Sequence, residues 1–174
     1  SSTATTTGVW ASNYTTVQHW AEDPLGASPQ FQDSTSNNKD GIAAATSGPV
    51  VTTTALGKFG NALDFNGTTQ YVDQGDAPLG SLPNGSAEFW FDIDSLTTSA
   101  TNRYLYSRVK VSANDGELRV YVDTSGGANT NKIVYQIECT VPSTLSTTTV
   151  NTSTSVIDTW YHVVATWDDD TTGA

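Results

Sequence analysis

Hydrophobic and polar residues alternate along much of this chain with a period of two. No long stretch places apolar residues at the roughly 3.6-residue spacing of a helix. The clearest alternation is "SAEFWFDIDSL". Ala87, Phe89, Phe91 and Ile93 fall on one face of a strand there, and Glu88, Trp90, Asp92 and Asp94 on the other. The segment "NALDFNGTTQYVDQGD" reads as a hairpin, with Leu63 and Phe65 before a turn at 66–69 and Tyr71, Val72 and Asp73 after it. Further strands are expected in "RYLYSRVKV", "GELRVYVDT", "KIVYQIECTV" and "TWYHVVATW", and a first strand around Thr15 to Trp20. The turn "SANDG" joins two of them with Asn114, Asp115 and Gly116, which tolerate positive φ. Seven to nine short strands with no helical insert predict an all-β, antiparallel two-sheet sandwich or jelly roll.

Composition agrees with this pattern. Ser and Thr make up about a quarter of the 174 residues, and Thr favours strands. Residues 1–8, "SSTATTTG", read as a linker or loose N-terminus, and 9–174 as one domain. The single cysteine, Cys139, rules out an intrachain disulfide and lies in a predicted strand. No run approaches the roughly 18 apolar residues of a membrane span. The formal net charge is −11, which sets aside nucleic acid and anionic membrane surfaces as partners. With no signal peptide and no methionine, the chain is expected to be a mature segment of a longer protein.

Four segments in order carry a family resemblance: "DSTSNNKDG", "GKFGNALDFNGTTQYVDQGD", "AEFWFDID" and "TWYHVVATWD". Together they resemble laminin-G-like, concanavalin A-like jelly-roll domains. That family usually continues after "TWDDDTTGA" with strands that close both sheets. The resemblance therefore implies a domain incomplete at its C-terminus, either a fragment or one completed by another chain, with residues 160–167 expected as an edge or near-edge strand that pairs with another segment. Neighbouring chains or domains would then supply the missing strands, since strand addition is an established recognition mode.

Three kinds of chemistry follow. The loop 33–41 gathers oxygen donors at short spacing, but it is not an EF-hand, because Asn38 and Ala44 stand where Gly and Glu are required. Related jelly rolls carry structural Ca²⁺ at a similar loop. The resemblance thus implies a calcium site on Asp33 and Asn37, with Asp40 as a further ligand. The alternative is a loop whose side chains cap their own backbone.

The second chemistry is saccharide recognition. Trp90 is expected on the outer sheet face beside Glu88 and Asp92, where an aromatic ring and planar polar groups suit a glycan. Tyr104, Tyr106 and Tyr121 would extend that platform, and Arg108 would add donors. The alternative is a tryptophan covered by a loop.

The third is glycoside hydrolysis. Glu88, Asp92 and Asp94 superficially resemble the carboxylates of laminarinase-like hydrolases. A retaining pair needs about 5–5.5 Å, whereas alternate strand residues lie about 6.5–7 Å apart, and Glu88 to Asp92 spans about twice that. A non-enzyme is expected. His19 and His162 lie in separate strands, and His162 resembles a structural histidine of the family. Asn-x-Ser/Thr sequons begin at Asn13, Asn66, Asn84 and Asn151.

The function expected is an extracellular or cell-surface recognition or adhesion module that binds a glycan or glycoprotein with structural calcium. A subunit of a surface fibre, completed by a neighbour's strands, is the alternative.

Overall fold

A computed structural model describes residues 9–45, 52–54, 57–75, 84–96, 102–108, 117–138, 145–149 and 157–168. Residues 1–8, Cys139, the turn at 114–116 and the sequon at Asn151 lie outside the described residues. Every described ladder is antiparallel, so the chain is all-β as its alternation predicts. It divides into two compact units, Ser1–Gly80 and Ser81–Ala174.

The first unit holds β1 (Ile42–Ala45), β2 (Thr52–Thr54), β3 (Ala62–Asp64) and β4 (Gln70–Asp73). Strand β1 pairs with β4, and β2 pairs with β3. The hairpin expected at 61–76 is therefore corrected: β3 and β4 flank the turn but take different partners. The reason lies in the turn. Asn66 Oδ1 accepts bonds from the backbone nitrogens of Thr68 and Thr69, and Gln70 Oε1 accepts one from Asn66 N. This side-chain-capped loop satisfies its own backbone and leaves β4 to pair with β1.

The core of this unit is Phe31 and Ala43, with Trp20, Leu63 and Val72 packed against them. Trp20 meets Phe31 edge-on, with ring centroids 5.2 Å apart. Gly41 bonds both ways with Phe31, and a side chain there would strike Val72 and Phe31. The strand expected at Thr15–Trp20 is reduced to one bridge, Gln18 to Asp33.

The second unit holds β5 (Asn84–Phe91), β6 (Arg103–Arg108), β7 (Glu117–Val122), β8 (Ile133–Glu138), β9 (Leu145–Thr149) and β10 (Tyr161–Asp168). Strands β6 to β9 form a four-stranded meander in chain order. Strand β5 pairs with β10 over its whole length, from Phe91 opposite Tyr161 to Asn84 opposite Asp168.

Period two then sorts the side chains. Phe91, Val163 and Ala165 are buried, while Glu88, Trp90, His162 and Val164 are exposed. On the meander, Leu118, Val120, Val122, Ile133 and Tyr135 are buried on one face, and Val134, opposite Tyr121 on the other face, is buried as well. The Tyr135 hydroxyl donates to the carbonyl of Thr166 at 3.1 Å, tying the meander to β10. Tyr161 stacks on Phe91 at 5.5 Å.

Gly85 lies opposite Trp167, and its missing side chain leaves room for the indole. Gly85→Ala drives a methyl into that ring and is expected to cost about 1–3 kcal/mol. Gly127→Ala, whose methyl meets only the Ser125 hydroxyl at 3.6 Å, is the matched control. Thermal unfolding of both variants checks this: the first midpoint drops by several degrees and the second does not.

Candidate functional site

The β5–β10 register builds the best-defined surface site. Trp90 lies directly opposite His162, and Glu88 lies opposite Val164. Directly opposed and diagonal residues on one face are in reach of one another. The His162 imidazole stacks on the Trp90 indole, with centroids 4.7 Å apart and planes 18° from parallel. Its Nε2 is 2.7 Å from Glu88 Oε1. A carboxylate only accepts, so Nε2 carries the hydrogen and donates it.

The site is thus an aromatic pair with one carboxylate held at its rim. Trp90 remains 40% exposed and the Glu88 side chain 64% exposed. Asp92 falls just past the end of β5 and is half-buried, with Oδ1 2.7 Å from the nitrogen of Ile93.

The other proposed platform residues belong to the meander. Tyr104 lies opposite Tyr121, with ring centroids 5.4 Å apart. Simple alternation would put Tyr104, Tyr106 and Arg108 on one face. A register shift between Tyr104 and Tyr106 breaks the alternation. Tyr106 then pairs with buried Val120, and Arg108 with buried Leu118. This corrects the expectation that Tyr106 and Arg108 extend an outer platform: both share the core-facing side of their sheet. Tyr121 and exposed Tyr104 share the opposite side of that sheet, where Tyr121 lies beside buried Val134, and that sheet is not the one holding Trp90.

Burial pushes the Tyr106 hydroxyl up to about 12, against a smaller opposing pull from Arg108. Burial, reinforced by Asp123 and Tyr104, also raises Tyr121.

The loop proposed for calcium sits in the first unit. Asp33 is buried, and its carboxylate takes four hydrogen bonds. Oδ1 accepts from the nitrogens of Val17 and Thr35, each at 2.9 Å. Oδ2 accepts from Thr35 Oγ1 at 2.7 Å and Lys39 N at 2.9 Å. A carboxylate offers about four lone-pair sites, so protein donors take up its accepting capacity. Asp40 Oδ1 accepts from Asp33 N at 2.8 Å. Asn37 turns its amide nitrogen to the carbonyls of Tyr14 and Thr15.

The three residues do come together, but as caps on surrounding backbone. A calcium ion needs six to eight free oxygens, and this donor set does not fit one. Among the described residues, no three His, Cys, Asp or Glu side chains group as metal ligands. Burial pushes the Asp33 carboxyl up, yet the bonds from Val17, Thr35 and Lys39 together outweigh it and leave it below the ordinary 3.8.

His162 is the contributor that sequence reading assigned to structure alone. Its alternation with Val163 marks it as outward-facing, but only the register reveals Trp90 as its partner.

With the Asp33 carboxylate occupied, the 33–41 loop is expected to give the same unfolding midpoint in millimolar Ca²⁺ and in chelator, read by circular dichroism. Asp33→Ala strands several backbone donors and is expected to cost about 2–4 kcal/mol. Because the folded Asp33 value is depressed, its stabilisation is complete above the ordinary carboxylate range. That stabilisation fades as pH falls through the folded value. Tyr106 behaves oppositely: stability is complete below 10.0 and is lost as pH rises towards about 12. Absorbance titration should show this late tyrosine, and Tyr106→Phe should remove it.

With the geometry established, comparison with known proteins adds one finding. The family model described as the concanavalin A-like lectin/glucanases superfamily matches residues 66–174, well over half of the chain. No curated protein and no solved structure matches it.

Proposed function

The chain belongs to the concanavalin A-like lectin/glucanases superfamily, a jelly-roll sandwich fold, and on that basis we propose that it is a non-catalytic saccharide-recognition module. A fold of this kind hosts both binding and hydrolysis, so the choice rests on the site. The observation that carries it is the Trp90–His162 stack with Glu88 at its rim. With the indole already stacked on His162, it is the exposed remainder of the Trp90–His162 pair that presents apolar surface to the C–H side of a sugar ring. A carboxylate already oriented by a histidine accepts from a sugar hydroxyl without first losing side-chain freedom.

Hydrolysis would need a second carboxyl group across the scissile bond. Asp92, the nearest acid in sequence on that side, lies past the strand end, with Oδ1 against the Ile93 nitrogen. The Glu88 partner is an imidazole. This arrangement favours binding over cleavage. A role outside the cell, as an adhesion or recognition module of a larger protein, fits the acidic surface and belongs to the same proposal.

A panel of immobilised oligosaccharides tests the reading. Trp90→Ala is expected to weaken the best binder at least tenfold, about 1.4 kcal/mol, with an unchanged unfolding midpoint. Tyr121→Ala, on the other sheet, is expected to leave binding intact. Equal loss from both variants, or no loss from the first, would move the site away from Trp90.

A further inference from the structure

We infer that the Trp90 face selects uncharged saccharides and turns away sulfated and carboxylated ones. The inference rests on the saccharide reading and adds the ligand class.

The exposed row of this face, set by the β5–β10 register, is Asn84, Ser86, Glu88 and Trp90 with His162, Val164 and Thr166. Among the described side chains of that row, Glu88 is the one carboxylate, and there is neither lysine nor arginine. Recognition of a sulfate or carboxylate relies on cationic donors, above all the bidentate fork of arginine. None of the seven lysines and arginines of the chain lies within β5 or β10.

On the described row, the group able to become cationic is His162, and its Nε2 is bonded to Glu88. A protonated His162 therefore forms an ion pair that leaves the pair neutral, never positive. The second Glu88 oxygen is an acceptor, so a ligand meeting it must bring a donor. A sugar hydroxyl or acetamido N–H does so. A sulfate brings only acceptors and a like charge.

The apolar members complete the selection. Val164 is exposed opposite Glu88 and flanks the Trp90–His162 stack. Such a strip matches the C–H face of a neutral ring. The formal charge of −11 extends the repulsion beyond the contact, over a Debye length of about 8 Å at physiological salt.

The test is isothermal titration of the whole chain. The neutral probes are cello-, laminari-, xylo-, manno- and chitohexaose, and the anionic ones are heparin and chondroitin sulfate hexasaccharides. The inference expects at least one neutral hexasaccharide to bind, with an affinity that changes less than twofold between 20 and 150 mM NaCl (about the span over which ionic contacts weaken visibly). The anionic probes bind at least tenfold more weakly.

Heparin binding as tightly as the best neutral probe, and lost in Trp90→Ala, overturns the selectivity and leaves the saccharide reading standing. Silence from every probe, with the chain folded by circular dichroism, overturns both. As a second variant, Glu88→Gln keeps an acceptor for His162 and removes the charge. The inference expects it to narrow the gap between neutral and anionic probes, and an unchanged gap overturns the role given to Glu88.

Discussion

The pairing of β5 with β10 is the constraint on which the second unit depends. Eight residues on each strand are fixed opposite one another. Because a strand has period two, one register decides both faces at once. It sends Phe91, Val163 and Ala165 inward and brings Trp90, His162 and Glu88 together outside. A slip of one residue would bury the carboxylate and expose the phenylalanines. Core and candidate site are therefore one decision, made by the same ladder. Trp167 over Gly85 helps hold that register, because the indole has no room at a neighbouring residue with a side chain.

The first unit has short strands and relies on side chains for what ladders do elsewhere. Asp33 gathers donors from Val17, Thr35 and Lys39 onto one carboxylate. Asn37 and Asp40 close the same loop onto neighbouring backbone. The carboxylate at the centre of what looks like a cation site in sequence is, in three dimensions, already occupied by N–H and O–H groups. Most of these bonds are local, as in a loop that caps its own backbone, and Val17, Tyr14 and Thr15 add partners that lie far away in sequence.

Legibility followed the range of each interaction. The β5 alternation was readable because the two faces of one strand are a local property, and Trp90 was placed outside on that basis alone. The turn at Asn66 was readable too, but not the partners of the strands it joins, since pairing is a long-range choice. Tyr106 was misplaced because one irregularity between Tyr104 and Tyr106 reverses every side chain beyond it. Nothing in "RYLYSR" announces that shift, which carries no glycine to mark it. The stack of His162 on Trp90 joins residues more than seventy apart, so neither sequence neighbourhood contains it.

That separation also has a consequence during synthesis. Strand β5 leaves the ribosome well before β10, its full-length partner. At roughly 5–20 residues per second, the wait lasts about 4–15 s. For that time the apolar run Phe89, Trp90 and Phe91 lacks its pairing partner, and an unpartnered apolar run is the kind of segment that pairs with a neighbouring chain. Glu88, Asp92 and Asp94 interrupt and flank it with like charges. Acidic residues so placed oppose pairing of the run with another copy of itself, a consequence of the charge pattern that is independent of the finished surface.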